Sequence, residues 1–107
     1  MDDHPVVEDA RTVFLVVREP GMAWVRGKPL REQAGWVAHN AFMDQLVASG
    51  RVLFGGPLTA IPNRIVLVAS GKDREAVMDL LRDDPWCRDD VLRVASVHAW
   101  EWHLEAA

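Results

Sequence analysis

The sequence predicts an α+β domain in which four antiparallel strands form one sheet and two helices cover one of its faces. Short β-branched or apolar runs and segments of helical periodicity follow each other in the order strand–helix–strand–strand–helix–strand. Each half of this order is a strand, a helix and a strand, which is the ferredoxin-like arrangement. A chain of 107 residues has the length of a single domain with one core.

The first half of the chain predicts a strand, a loop and a helix. Residues 1–10 are polar and without periodicity, so we expect a flexible tail and a core that spans about residues 12–102. Residues 12–18 form a short β-branched run, which predicts a strand buried on both faces. Residues 30–49 are predicted as the first helix, since apolar positions recur at helical spacing, and Gly50 suits a left-handed helix end.

The second half predicts two strands, a helix and a last strand. Residues 52–58 and 64–69 are short apolar runs separated by turn-forming residues, and both are predicted strands. Asp73 is a suitable N-cap for a helix over residues 74–83. Residues 86–90 predict a loop or a single turn of helix, and residues 91–102 the last strand.

The first and third strands are apolar at both parities. A sheet with one solvated face should instead alternate apolar and polar side chains. We therefore expect the second face to be covered by the same face of another subunit, in a symmetric homodimer packed sheet to sheet. The alternative is a monomer whose loops or tail fold over the sheet.

Composition and charge exclude several classes of protein. Lys and Arg number 12 against 16 Asp and Glu, so the net charge is −4 and nucleic-acid binding is not expected. No apolar run approaches the roughly 20 residues that span a bilayer. The lone Cys87 and the acidic N-terminus predict a cytoplasmic protein with no disulfide and no signal peptide. Five Trp beside three Phe and no Tyr suggest a pocket or a partner surface to cover.

Two polar residues occupy inward positions on the predicted helices. His39 lies three residues after Trp36 and four before Met43, so it points toward the core with them. Asp84 lies four residues after Leu80, at the end of the inward stripe of the second helix. Helices on the same sheet face lie side by side, so these two side chains can meet.

A buried aspartate at a helix C-terminus is disfavoured by the helix dipole and by desolvation unless it finds a partner. His39 as that partner would form a His–Asp dyad, in which the carboxylate orients the ring and stabilises the imidazolium during proton transfer. The competing interpretation is that His39 is a satisfied core histidine and Asp84 a turn residue before Pro85.

Other candidate residues surround the predicted helices. Trp24, Trp36 and Trp86 are candidate substrate-binding walls, with packing roles as the alternative. Arg26, with Lys28 and Arg31 nearby, is a candidate for holding an anionic group, and a solvated loop face is the alternative. The histidines show no metal-ligand spacing, so we expect neither a metal nor a cofactor.

An ordered set of residues resembles the YCII-related family. The set comprises Gln33-x-x-Trp36-x-x-His39-x-x-Phe42-x-x-x-Leu46-x-x-x-Gly50, Gly56-Pro57-Leu58, Asp84-Pro85-Trp86 and Val97-x-x-Trp100. The resemblance implies the dimeric α/β-barrel superfamily and makes His39 and Asp84 the active pair. One branch of the family resembles a dehydrochlorinase that acts on a chlorinated hydroxyquinol, and related barrels include muconolactone isomerases and small monooxygenases.

These observations predict a cofactor-free enzyme that acts on a small cyclic or aromatic molecule. His39 would be the general base or acid and Asp84 its orienting partner, in an elimination or isomerisation. One alternative is a non-catalytic module that binds a small molecule in the same pocket. The other is a structural dimerisation domain, which predicts no cavity beside His39.

Overall fold

The computed structural model describes residues 12–106, and the predicted tail at residues 1–10 lies outside them. Its strands are β1 (Thr12–Pro20), β2 (Val52–Pro57), β3 (Ile65–Ala69) and β4 (Leu92–Glu101). Its helices are α1 (Trp36–Ala48), α2 (Arg74–Arg82) and the short α3 (Pro85–Arg88), and a single 3-10 turn spans Leu30–Glu32. None of the helices in this part of the chain has the length and apolar character needed to cross a membrane.

The four strands form one antiparallel sheet in the order β2-β3-β1-β4, which confirms the predicted α+β, ferredoxin-like fold. The central strand β1 pairs Val16 with Leu67 of β3 and with Val97 of β4. Because paired residues share a face, these three side chains lie together on the face that the helices cover. The buried core joins them to Leu46 of α1 and to Leu81 of α2.

The first helix is shorter than predicted. Only Trp36–Ala48 is α-helical, and Gly35 before it has φ 81°, a left-handed conformation that separates the 3-10 turn from α1. The buried Gln33 side chain holds the preceding loop through both ends of its amide. It accepts from the Val25 N–H at 2.9 Å and donates to the carbonyl oxygens of Val25 and Lys28 at 2.8 and 2.9 Å. Hydrogen bonds between a side chain and a loop backbone leave no repeat in the sequence. The spacing of apolar residues therefore predicts a helix that begins at residue 30, whereas α1 begins at Trp36.

The predicted helix ends are mostly confirmed. Gly50 follows α1 with φ 75°, and Asp73 caps α2 by accepting from the Ala76 N–H at 2.8 Å. Asp84 differs from the prediction, because α2 ends at Arg82 and Asp84 is instead the N-cap of α3. Its carboxylate accepts from the Trp86 N–H at 3.0 Å, so the aspartate sits at a helix start and not at an unfavourable helix end.

The sheet face opposite the helices carries apolar side chains on every strand. Register pairs Val13 with Trp100, Val17 with Val66 and Phe54 with Val68. Phe54 and Trp100 keep 55% and 45% of their surface exposed, although both are large apolar side chains. We call the face that carries Val13, Val17, Phe54, Val66, Val68 and Trp100 the open sheet face.

Replacement of Gln33 by leucine should destabilise the protein by about 1–3 kcal/mol, since backbone groups of Val25 and Lys28 lose their partner. The amide of Val25 should then exchange its hydrogen faster. Urea unfolding and hydrogen exchange measure both effects. The matched control is Gln45→Leu on the exposed side of α1, which should change the free energy of unfolding by less than about 0.5 kcal/mol. Equal effects of the two substitutions would contradict this role of Gln33.

Candidate active site

His39 and Asp84, the two residues that the helical stripes single out, are in direct contact. The Nδ1 atom of His39 lies 2.9 Å from each carboxylate oxygen of Asp84. His39 is 7% exposed and Asp84 is completely buried. The first turns of α1 position the ring, and the N-cap position of α3 positions the carboxylate.

The carboxylate of Asp84 accepts hydrogen bonds from three segments of the chain. Besides His39 and the Trp86 N–H, it is bound by the guanidinium of Arg18, whose Nη1 lies 2.6 Å from Oδ2. Arg18 is 1% exposed and comes from the inward parity of β1, so this is a fully buried ion pair. A buried carboxylate is tolerated at such a place only when its charge is paired and its lone pairs are used.

The balance of burial and partners keeps Asp84 ionised. Burial alone raises the pKa of this carboxyl group, but the hydrogen bond from His39 and the charge of Arg18 together outweigh burial. The net effect is a pKa below the usual aspartate value of 3.8. Asp84 is therefore a carboxylate at neutral pH.

An ionised carboxylate can only accept, so the Nδ1 atom of His39 must carry the proton of their hydrogen bond. In the neutral ring this leaves Nε2 with a free lone pair. Among the described residues no protein group hydrogen-bonds Nε2. The arrangement therefore presents one basic nitrogen with a fixed tautomer.

Two tryptophan side chains pack against the imidazole of His39. The indole of Trp86 stacks on the ring of His39, with centroids 3.9 Å apart and planes at 8°. Trp86 is itself fixed by a 2.7 Å hydrogen bond from its Nε1 to the carbonyl oxygen of Ala34. Trp36 packs against both rings at 5.9 and 5.7 Å. Stacking and the Asp84 hydrogen bond together leave the imidazole a single orientation.

A cavity of about 180 Å³ opens beside His39, between the helices and the sheet. It is large enough for one six-membered ring, because an apolar cavity of about 150 Å³ accepts benzene. Its walls are almost entirely apolar, and the polar side chains among them are Arg18 and His39. The lining residues are Arg18, Leu30, Trp36, His39, Met43, Val47, Gly55, Gly56, Pro57, Ile65, Leu67 and Leu92.

The other candidate residues from the sequence are distributed differently. Trp36 lines the cavity. Trp86 is not among the residues that line the cavity. It is completely buried and stacks on His39, so it supports the imidazole and does not form a wall of the cavity. Trp24 and Arg26 line a separate, polar pocket together with Arg64, so they do not meet His39. Trp24 instead packs edge-on against Trp86 at 6.3 Å.

Sequence reasoning missed Arg18, and it named Gln33 only within the set of residues that resembles the family, without its role in the loop. The sequence predicts a first strand that is apolar at both parities and ends at Arg18. A usable signal was present, because Phe14, Val16 and Arg18 share one parity and the first two are core residues. A cation on the inward face of a central strand needs a buried anion, and Asp84 was already predicted to point inward.

Within residues 12–106 no group of three or more His, Cys, Asp or Glu side chains is placed to hold a metal ion. The polar groups at or beside the cavity are the imidazole of His39, the carboxylate of Asp84 and the guanidinium of Arg18. Such a set suits proton transfer on a small molecule in an apolar cavity.

Fold and site together define a ferredoxin-like α+β protein with a buried His–Asp pair on a ring-sized cavity. The YCII-related domain matches residues 11–101, so the chain belongs to the YCII-related family. This confirms the resemblance seen in the sequence. Comparison with curated proteins gives no significant match.

One similar solved structure is the 5-chloro-2-hydroxyhydroquinone dehydrochlorinase of Burkholderia phenoliruptrix, in complex with 2,5-dihydroxybenzoquinone. The match has a TM-score of 0.58 and 18% sequence identity, and it covers 84% of this chain and 92% of that chain. At this identity the likeness establishes a shared fold.

Replacement of Asp84 by asparagine should lower stability by roughly 3–5 kcal/mol near neutral pH, since Arg18 loses its buried anion. The folded-state pKa of Asp84 is depressed, so its contribution is present above about pH 4 and is lost as the pH falls through the folded-state pKa. The gap between wild type and Asp84→Asn should therefore shrink as the pH is lowered from about 6 to about 3.

Urea unfolding across this pH range measures the gap. The matched control is Asp83→Asn, which changes the adjacent, exposed carboxylate. A gap that stays constant across the range would contradict an ionised, paired Asp84.

Proposed function

We propose that this protein is a cofactor-free enzyme of the lyase or isomerase type that uses His39 as general base and Asp84 as its orienting partner. The observation that carries the proposal is the combination of a fixed Nδ1–H tautomer with a cavity beside the ring. A structural dimerisation domain would need no such cavity. A core histidine without function would not need one ring nitrogen left without a protein partner.

The chemistry follows from this geometry. The Nε2 atom of His39 takes a proton from a carbon or hydroxyl group of the bound molecule, and the electrons of the broken bond form a new double bond. In an elimination a leaving group such as chloride departs with its electron pair, and in an isomerisation the imidazolium returns the proton at another atom. Asp84 stabilises the imidazolium through the Nδ1 hydrogen bond.

The cavity supports a monocyclic substrate. Its volume of about 180 Å³ suits one ring with few substituents, and Trp36 offers an aromatic wall. The structural neighbour is named for dehydrochlorination of a monocyclic hydroquinone and was solved with a dihydroxybenzoquinone. We therefore propose an oxygenated, halogenated six-membered ring as the substrate class.

A small-molecule binding module without turnover is the second candidate, since the same cavity serves either function.

The absence of a second cysteine supports a reducing compartment, so we also propose a cytoplasmic location.

Chloride release from 5-chloro-2-hydroxyhydroquinone under anaerobic conditions tests the enzyme proposal. Wild type should release chloride, and His39→Gln and Asp84→Asn should each slow release by about 10²–10⁴-fold, the usual contribution of general base catalysis. Asp83→Asn is the matched control and should keep full activity. Circular dichroism establishes that each variant is folded.

Full activity of both site variants would end the dyad hypothesis. Saturable binding of the ring without chloride release, abolished by His39→Gln, would favour the binding module.

We further propose that the protein forms a homodimer through the open sheet face. Large apolar side chains such as Phe54 and Trp100 stay about half exposed there, in register with buried apolar neighbours. Exposed apolar patches of this kind mark interfaces, and a two-fold contact between identical faces is self-complementary.

Replacement of Trp100 by glutamate should place charges against each other across the two-fold contact and so release monomers. Light scattering coupled to size-exclusion chromatography should give twice the chain mass of 12.0 kDa for wild type and the chain mass for Trp100→Glu. The control is Val37→Glu, which changes an 80% exposed valine on α1 and should leave the mass unchanged. A wild-type protein of single chain mass would refute the dimer.

A further inference from the structure

We propose that Arg18 is a positioning residue that cancels the charge of Asp84, so that the cluster of Arg18, Asp84 and a neutral His39 has no net charge and His39 meets its substrate as a base. The inference rests on the proposed function of this site, because it states in which direction the first proton moves. It concerns a residue of β1 that lies on the inward side of the central strand.

Arg18 is fastened to the same carboxylate as His39. Its Nη1 donates to Asp84 Oδ2 at 2.6 Å, and its Nη2 donates to the carbonyl oxygen of Leu92 at 3.3 Å. The guanidinium is 1% exposed, and its Nε has no hydrogen-bond partner within the described residues. A buried guanidinium with an unused donor is costly, so its place in the fold is not explained by hydrogen bonding alone.

The charge balance between Arg18 and Asp84 explains better why a guanidinium is buried here. Arg18 and Asp84 cancel, so a neutral imidazole leaves the cluster uncharged and an imidazolium makes it positive. Without the guanidinium the balance reverses, because Asp84 alone favours a positive His39. A charge within about 4–6 Å shifts such an equilibrium by about 1–3 pH units, and an apolar surrounding does little to screen it.

The surroundings of the imidazole add no comparable charge. The rings packed on it, Trp36 and Trp86, are uncharged, and the guanidinium of Arg31, which lies 5.9 Å from the centre of the Trp36 ring, belongs to an exposed residue. On the segment around α3 the flanking charges Asp83 and Arg88 are exposed, and Cys87 is a partly buried thiol. Of the residues that line the cavity, Arg18 and His39 are the ionisable ones. The charge state of the ring thus depends on Asp84 and Arg18.

The test measures the protonation of His39 directly, by long-range ¹H–¹⁵N spectra of protein labelled at histidine, with His39→Gln for assignment. At about pH 7.5 wild type should show one protonated and one bare ring nitrogen, the pattern of a neutral ring. Arg18→Gln keeps a donor for Asp84 and removes the charge. More than about half of the ring should then be imidazolium.

Two further variants separate charge from structure. Arg18→Lys keeps the charge and should restore the neutral ring. The double variant Arg18→Gln with Asp84→Asn removes both charges and should also show a neutral ring, because the imidazolium of the single variant needs the unpaired carboxylate. Arg18→Met also removes the charge, and it should show the imidazolium if the glutamine variant does not fold. Arg82→Met, which removes an exposed arginine from α2, is the matched control and should match wild type.

An Arg18→Gln protein that is folded and as neutral at His39 as wild type would overturn the proposal, as would an imidazolium in the double variant. The spectra need no substrate. Their outcome is therefore independent of the chloride-release assay. Wild type can fail to release chloride while the spectra show the effect of Arg18, and it can release chloride while the spectra show no such effect.

Discussion

The buried carboxylate of Asp84 is the point at which the sheet and the helices of this protein are joined. It binds a guanidinium from β1, an imidazole from α1 and the first backbone amide of α3 that it caps. A carboxylate with no exposed surface is unfavourable by several kcal/mol unless all its partners are in place. The ends of these elements must therefore come together in one arrangement, and the same arrangement fixes the tautomer of His39.

The tryptophans serve this arrangement more than they serve the substrate. Trp86 stacks on His39 and is held by Ala34, and Trp24 packs edge-on against Trp86 from the preceding loop. That loop is itself anchored by Gln33. Rigid indoles have few rotamers to lose, so they hold an imidazole in place at low entropic cost. Of Trp24, Trp36 and Trp86, only Trp36 lines the cavity beside His39.

Periodicity in the sequence predicts the sheet, the two long helices and the inward side chain of His39, and it places Asp84 inward as well, although at the end of the α2 stripe and not as the N-cap of α3. It was insufficient wherever a side chain satisfied the backbone without a repeat, as Gln33 does ahead of α1, or where a residue belongs to a turn of its own, as Asp84 does at α3. Arg18 was missed for a different reason. Its parity is readable from β1, but its partner lies 66 residues away, and only the packing of α3 against the sheet shows which acid it neutralises.

The edge strand β2 contributes neighbouring residues to two different surfaces, the open sheet face and the cavity beside His39. Phe54 points to the open sheet face, whereas the next residue, Gly55, lies on the cavity side opposite Leu67. A Cβ at Gly55 would stand 2.6 Å from the carbonyl oxygen of Val66, so glycine is required by the pairing with β3. The absence of a side chain there also keeps the cavity open. Because neighbouring residues of β2 face opposite sides, a substitution at Phe54 changes the open sheet face, where Trp102 stacks on it, whereas a substitution at Gly55 changes the cavity.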